Sequence, residues 1–149
     1  MRGTKNMAKY RMLPNTVTLF NYLGENDLKA EYAITILKNV YCDTEYGARA
    51  STKGTVSENA AMLYIFDKKV FAESLDGKQK AFLPYDEWDK VENKEDYWSL
   101  NSENKDFFVN GIASVDNPQN ADIEAYKISK IHTYQNGTSR MWHREVVGL

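Results

Sequence analysis

The residue types best suited to chemistry lie close to the end of the 149-residue chain, in the stretch SRMWHREVVGL (139–149). His143 directly follows Trp142 there, and an arginine stands two residues to either side of that tryptophan. The chain's other histidine, His132, precedes Asn136-Gly137, a dipeptide that favours a two-residue type I′ hairpin. Three hypotheses follow: a metal site, a nucleic-acid surface, or the last strand of a small β-domain that docks onto a partner.

The two histidines come together if Asn136-Gly137 is the whole loop. Trp142 then lies opposite Ile131, and Met141 lies opposite His132. In that register His132 and His143 share a face as diagonal neighbours, roughly 7–8 Å apart at the backbone. Zinc generally needs at least three protein ligands, and no nearby His, Cys or patterned carboxylate supplies the third. We therefore expect no metal site and a structural, hydrogen-bonded role for both histidines.

The same register predicts a hairpin that is apolar on both faces. One face carries Ile131, Trp142 and Val146 with Arg140 and Arg144, and the other carries Ile128, Tyr134, Met141 and His143. Such a hairpin needs cover on both sides, from its own core and from another layer or another chain. This pattern favours assembly over catalysis.

Length and composition set the frame for these hypotheses. The chain fits one domain, and its 42% hydrophobic and 27% charged residues are ordinary for a globular protein. Ten tyrosines, six phenylalanines and three tryptophans favour strands and association surfaces over helical bundles. A net charge of −2 gives no overall attraction to DNA or to an anionic membrane.

Targeting and redox signals are few. Residues 1–12 carry four basic residues and no acid, but no apolar run follows, so we expect a flexible basic leader and not a secretion signal. No run is long and apolar enough for a spanning helix. Cys42 is the only cysteine, which excludes an internal disulfide and fits a reducing compartment.

Apolar periodicity predicts a mostly β chain. The expected strands are 16–23, 29–43, 60–66, 105–115 and the two arms of the closing hairpin, 126–135 and 138–147. Turns are expected at 24–27 and Asp76-Gly77, a short helix within 85–98, a helical turn at 122–126, and a long loop at 44–59. In the second strand Tyr32, Ile34, Ile36, Val40 and Cys42 are expected to share one face, which makes Cys42 a small core residue.

Catalytic motifs are missing from the sequence. It contains no GxSxG, no phosphate-cradling glycine loop and no HExxH, and DNPQNAD (116–122) lacks the glycine that a calcium loop requires. The acids between Asp86 and Asp96 alternate with Lys90 and Lys94, which is typical of a solvated helix face. We therefore expect a protein that is not an enzyme and that has no cofactor.

The order of the elements resembles a known family of virion proteins. The stretches that carry the resemblance are TVTLFNY, ILKNVYCD, AAMLYIF, YWSL, DFFVNG and the final YKISKIHTYQNGTSRMWHREVVG. They resemble the head-closure, or head–tail connector, proteins of tailed bacteriophages and prophages, small neck proteins often described as minor capsid proteins. The likeness runs from about Leu13 to Gly148. The segment 67–100 is longer than is typical of them, which leaves the subfamily open.

The resemblance implies one small antiparallel β-barrel over residues 13–149, with one or two short helices. It further implies a structural ring beneath the portal and adaptor that closes the DNA exit channel and forms the platform for tail attachment. The implied partners are portal and adaptor proteins, tail proteins and further copies of the chain, with non-specific contact to packaged DNA. The protein would reside in the bacterial host cytoplasm during assembly and then in the virion neck, away from membranes.

Two sets of residues are candidates for these roles. In some members of the resembled family a long loop projects into the channel, so Arg49 and Lys53 of loop 44–59 would face DNA; the alternative is a solvated loop. The candidate interface residues are the aromatic and basic side chains Trp88, Trp98, Arg140, Trp142 and Arg144.

Other functions stay open at this point. A tail-completion or tail-terminator protein would use the same strands to cap the tail tube. A small-ligand-binding β-barrel or a hydrolase is a further alternative from a different class. DNA binding by the face that carries Arg140 and Arg144 is the third alternative, and it predicts affinity that falls steeply with salt.

Overall fold

The computed structural model describes residues 13–50, 59–103, 105–120 and 122–149. The predicted leader, residues 1–12, lies outside them. The strands are β1 (Asn15–Asn26), β2 (Lys29–Asp43), β3 (Ala61–Phe66), β4 (Phe71–Glu73), β5 (Ala81–Phe82), β6 (Tyr97–Trp98), β7 (Phe107–Asn110), β8 (Ala125–Tyr134) and β9 (His143–Gly148). The helices are α1 (Tyr46–Ala50) and α2 (Tyr85–Trp88), with 3₁₀ turns at Lys94–Asp96 and Ser139–Met141.

Six strands close into an antiparallel ring, so the predicted mostly β barrel with short helices is confirmed. The order is β1-β7-β8-β9-β3-β2, and β2 returns to β1 to complete the ring. One edge of β2 pairs with β1 along its length, while its other edge pairs first with β4 and then with β3. Closure removes the unpaired edges that an open sheet would present. Strands β5 and β6 form a separate parallel pair.

A bulge at Asn39 corrects the predicted face of β2. Asn15 pairs with Val40 and Thr16 pairs with Lys38, so Asn39 is left over, and its φ is +60°. An extra residue exchanges the two faces of a strand. Val40 and Cys42 therefore belong to the main core, whereas Tyr32 and Ile34 lie on the opposite face of the sheet.

The main core fills the barrel. It contains apolar side chains from the ring strands together with Trp98 and Leu100, which precede β7. Cys42 is buried among them, and burial raises the pKa of its thiol to about 12. The prediction of a core cysteine is confirmed, and so high a pKa excludes a reactive thiolate at neutral pH. A second cluster, around Phe20 and Phe107, packs on the outer face beneath the residues after β7.

The barrel has two distinct ends. Because neighbouring strands alternate in direction, the β1–β2 turn and the β8–β9 connection lie at the same end, which we call the hairpin end. The residues after β2 and after β7 leave from the opposite, loop end. The connection from β3 to β7 begins and ends at the hairpin end, and its residue Ser99 meets Asn21 there. The connection therefore closes that end of the barrel.

Several predicted boundaries are wrong for local reasons. The first hairpin turns at Asp27 and Leu28, both at positive φ, because Gly24 lies within the bulged end of β1 and not in a turn. The helix expected within 85–98 is only the four residues of α2 followed by a 3₁₀ turn. Residues 122–126 form no helical turn, since β8 begins at Ala125.

Candidate functional site

The hairpin formed by β8 and β9 has a longer loop than predicted. Tyr134 pairs with His143 and Ile131 pairs with Val146, so the loop spans residues 135–142. Ser139–Met141 form a 3₁₀ turn within it, which is why Asn136-Gly137 does not close a two-residue loop. The predicted pairing of Trp142 with Ile131 is therefore wrong by four positions.

A shift of four residues preserves the alternation of faces, so the two histidines still share one. His143 lies opposite Tyr134, and His132 lies two residues before Tyr134. One other expectation fails. Ile128 was assigned to the face opposite Ile131, but an irregularity between Ile128 and Lys130 turns Ile128 into the main core.

His143 is held on all sides by contacts within the chain. Its ring stacks between Phe66 and Tyr134, with centroid distances of 4.7 and 4.9 Å. Nδ1 lies 2.9 Å from the carbonyl oxygen of Met141, and Nε2 lies 2.9 Å from Oε2 of Glu145. This environment is that of a structural histidine, which orients the base of the hairpin.

The described residues contain no group of three or more His, Cys, Asp or Glu side chains placed to hold a metal ion. We predict that a His132→Ala/His143→Ala variant, provided that it folds, retains the assembly behaviour of the natural protein. We also predict that neither protein contains stoichiometric zinc by elemental analysis. One zinc per chain in the natural protein, lost in the variant, would contradict both statements.

Arg144 links the base of the hairpin to the β3–β7 connection, which closes the hairpin end of the barrel. Its Nη1 lies 2.7 Å from Oδ1 of Asp67, and its guanidinium lies 4.1 Å from the ring centroid of Phe82. Asp67 also donates its backbone N–H to the carbonyl oxygen of Trp142. Arg144 and Trp142 are both partly exposed, so their place at an interface stays a prediction.

The tip of the hairpin, residues 132–141, is exposed throughout. Tyr134 and Met141 are among the large apolar side chains that this surface presents to solvent, and Arg140 lies beside them. From residue 125 to 144 the sequence holds four basic side chains and no aspartate or glutamate. Within the tip itself Arg140 is the only lysine or arginine and there is no acidic side chain, so the tip is a partly apolar projection with one positive charge at the hairpin end.

An acidic segment belongs to the same end of the barrel. Residues 85–96 contain six acidic side chains against Lys90 and Lys94. The two strands that flank this segment, β5 and β6, pair with each other, and Phe82 of β5 lies under Arg144. One chain thus carries an acidic segment and, on the hairpin tip, an arginine beside exposed apolar side chains.

Two of the candidate interface residues are corrected by the structure. Trp88 and Trp98 are each only 2% exposed. Trp98 packs against Phe82 in the main core, and Trp88 lies under Lys94, whose Nζ is 5.2 Å from the indole centroid. Both indoles stabilise the subunit itself, because the connection they belong to folds back over the barrel.

The structure describes only one of the two candidate channel residues. Arg49 lies in α1 and forms an ion pair with Asp43 of β2, so its side chain is tied to the loop end of the barrel. Lys53 lies outside the described residues. The gating role of loop 44–59 stays a prediction.

A buried polar network lies at the hairpin end, and no sequence pattern indicates it. Asp106 is only 2% exposed and accepts hydrogen bonds from the backbone N–H of Tyr22 (2.8 Å) and from Nδ2 of Asn21 (2.9 Å). The same Nδ2 also donates to the carbonyl oxygen of Ser99 at 2.8 Å. Burial raises the pKa of Asp106 to about 6, although these hydrogen bonds act to lower it.

Lys80 is the second buried ionisable group at this end, and it is 7% exposed. Its Nζ donates to the carbonyl oxygen of Ile34 at 3.0 Å and to Oγ1 of Thr35 at 2.9 Å. Burial lowers the pKa of Lys80, and the more distant carboxylates of Glu95, Asp76 and Asp96 oppose that effect. Perturbed ionisable groups of this kind are common at functional sites.

Comparison with known proteins gives a family but no activity. A family model matches residues 12–149. The chain belongs to DUF6751, a family of unknown function. No curated protein and no solved structure matches this DUF6751 chain. In the described part of the protein, no helix has the length and apolar character needed to cross a membrane.

Reasoning from the sequence of this DUF6751 protein misses both buried ionisable groups. Lys80 stands in GKQKAF, where alternating lysines are typical of a solvated strand edge. Asp106 precedes the apolar run FFV, and an acid at a strand boundary usually faces solvent. Neither position carries a local signal, because burial at both depends on how the β3–β7 connection folds over the barrel.

Proposed function

We propose that this DUF6751 protein is a structural subunit of the neck of a tailed bacteriophage or prophage. In this role copies assemble as a ring beneath the portal and adaptor, close the DNA exit channel and provide the platform for tail attachment. The single observation that carries the proposal is the hairpin tip: a closed barrel projects a hairpin that leaves Tyr134, Arg140 and Met141 exposed. The resemblance to head-closure proteins supports the phage neck as the place of assembly.

The charges of the hairpin end support association in a ring. The tip, with Arg140, and the acidic segment 85–96 are different surfaces of one chain, so contact between them on neighbouring copies is head-to-tail. Heterologous contacts of this kind generate closed rings when the rotation between copies allows it. Attraction between opposite charges also raises the rate of encounter and sets the register. The aromatic and thioether side chains at the tip are residue types enriched at interfaces.

A neighbouring role fits the same surface. A tail-completion or tail-terminator protein would also form a ring, and it would bind the tail tube in place of the portal and adaptor. Arg140 on the tip also favours non-specific contact with packaged DNA, since an arginine side chain releases counterions from phosphates.

The test is co-sedimentation of the purified protein with portal–adaptor rings and, separately, with tail tubes of the same phage. We expect retention on portal–adaptor rings. We predict that Arg140→Glu combined with Met141→Glu reduces this retention at least tenfold, because the change reverses the charge of the tip and removes an apolar contact. Ile112→Glu is the control, since Ile112 is also surface-exposed but follows β7 at the loop end.

Each outcome of this experiment has a clear meaning. Retention on tail tubes alone would replace the proposal with the tail-completion role. Retention on neither assembly would overturn both. Equal loss for the tip variant and the Ile112→Glu control would show that the tip is not the contact surface.

A further inference from the structure

A groove beside Lys80 is not used by the proposed assembly surface. It has a volume of about 450 Å³ and lies at the hairpin end between β1, β2 and the residues after β4. Its apolar lining comes from Leu23, Ala33, Ile34 and Leu75, with Tyr32 and Lys80 as its inner polar groups. Volumes of this size are common for small-molecule sites.

The position of Lys80 follows from where β4 ends. Glu73, the last residue of β4, pairs with Ile36, so among the described residues no strand lies beside this edge of β2 before Ile36. The Lys80 ammonium fills this gap by donating to Ile34 and Thr35. Both acceptors are neutral oxygens.

Among the described residues the Lys80 ammonium therefore has no carboxylate in direct contact, and Glu95, Asp76 and Asp96 act on it only from a greater distance. An ammonium has three N–H donors, and the two acceptors named above use two of them. In the described part of the chain no carboxylate lies within ion-pair distance of Nζ. A buried charge is costly unless it is paired, so an anion that reached Nζ would relieve an existing cost.

Tyr32 adds a second polar group without a partner. Its hydroxyl is buried and makes no hydrogen bond with any described residue, and the side chain lines the same groove. A buried donor without an acceptor is unusual in folded proteins. The groove is thus bordered by a tyrosine whose hydroxyl is unpaired among the described residues.

The rim of the groove selects against a ligand of high charge. Asp76 and Glu95 are exposed there and Lys94 is the basic residue beside them in the lining, so the rim carries a net charge of −1 that repels a multiply charged anion. Among anions, this arrangement favours one with a single charge and an apolar tail.

We propose that this groove binds an amphipathic monocarboxylate, with its carboxylate on Lys80 and its hydrocarbon tail along Leu23, Ile34 and Leu75. The inference is independent of the neck role, because it uses none of the exposed residues of the hairpin tip.

Isothermal titration of the full chain with sodium decanoate and with decan-1-ol, both below their aggregation limits, tests the proposal. Decanoate is expected to bind at least tenfold more tightly than the alcohol, since a hydrogen bond to a charged group contributes about that much. Lys80→Met, which keeps the apolar stem, should remove the difference between the two probes. Lys80→Arg should retain most of it.

A surface variant keeps the test valid if Lys80→Met does not fold. Leu75→Asp places a negative charge on the exposed side of the groove and should weaken decanoate binding at least tenfold. Ile112→Asp, at an exposed isoleucine of the loop end, should leave it unchanged. Equal affinity for the acid and the alcohol, unchanged binding in Leu75→Asp, or binding of neither probe would each overturn the proposal.

Discussion

Replacing Gly148 with alanine is expected to destabilise the protein by about 3 kcal/mol, near the upper end for overpacked cores. Gly148 lies in β9 between Ala61 of β3 and Ile128 of β8. A Cβ at this position would stand 2.5 Å from Cβ of Tyr126 and 2.6 Å from Cε1 of Phe108. Real carbon atoms do not approach so closely, so neighbouring groups would have to move.

These neighbours have little freedom to move. The rings of Phe108 and Tyr126 stack on each other at 5.4 Å, and both residues are buried in the main core. The Cβ of Tyr126 is fixed to the backbone of β8, so no change of rotamer can withdraw it. Relief requires displacement of β8 or β9, which pair with each other and close the ring.

Urea unfolding followed by tryptophan fluorescence measures this effect. Gly137→Ala is the matched control: a Cβ there meets nothing within 4 Å, although φ is +74°. The control should be less stable by only about 1 kcal/mol, which is the cost of placing alanine in the left-handed region. A Gly148→Ala variant no less stable than Gly137→Ala would show that the core at this point is loosely packed.

The sequence predicts the ring strands well because their signals are local. The run 60–66 is apolar without interruption, and β3 occupies it almost completely. The strand 29–43 has long alternation and turn residues at both ends, and β2 has the predicted bounds. Closure into a barrel then follows from the antiparallel order of neighbouring strands.

The wrong details arise where one residue changes a register. Asn39 and the residue between Ile128 and Lys130 each add a position to a strand, and every side chain beyond them moves to the other face. Bulges of this kind leave no composition signal. The loop of the last hairpin was misjudged for a similar reason, because three residues that fit a strand, Ser139–Met141, form a 3₁₀ turn.

The candidate site was predicted only in part. The exposed tip with Arg140 lies where the closing hairpin was expected to present a surface. Trp88 and Trp98 were assigned to an interface because of their residue type, and residue type does not distinguish a contact surface from the inside of a subunit. Lys80 and Asp106 are buried because residues 67–103 cover the hairpin end, and no local sequence pattern indicates this.

Asp106 is expected to make the natural protein less stable as the pH rises from about 4 to about 6. Its ordinary pKa is 3.8, and burial in the folded protein raises the pKa to about 6. Between these values the folded state binds more protons than the unfolded state, so the free energy of unfolding falls with increasing pH. Below pH 4 both states are protonated, and above pH 6 both are ionised, so the contribution is then constant.

The size of this effect follows from the difference between the two pKa values. The free energy of unfolding falls by about 1.4 kcal/mol per pH unit over this interval, so the protein is less stable by about 3 kcal/mol at neutral pH. Asp106→Asn removes the titration and keeps the shape of the side chain. We therefore expect the stability difference between the natural protein and Asp106→Asn to change by about that amount between pH 4 and pH 7.

The comparison needs the difference between two proteins because other carboxylates titrate with the opposite sign. Hydrogen bonds and ion pairs lower the pKa of Asp76 and of Asp96, and both carboxylates are exposed to solvent or nearly so. Their contributions are common to both proteins and cancel. Asp116→Asn, at an exposed carboxylate, controls for the loss of one formal charge.

The absolute stability of Asp106→Asn at one pH is a weaker test than its pH profile. The new amide nitrogen would face the N–H of Tyr22 or Nδ2 of Asn21, both of which are donors, so a hydrogen bond is lost whichever way the amide is turned. The loss of this hydrogen bond does not depend on pH, so it shifts the stability of Asp106→Asn by the same amount at every pH. If the difference between the two proteins stays flat from pH 4 to pH 7, the carboxylate of Asp106 is already ionised without cost, and the closed hairpin end must admit water to it.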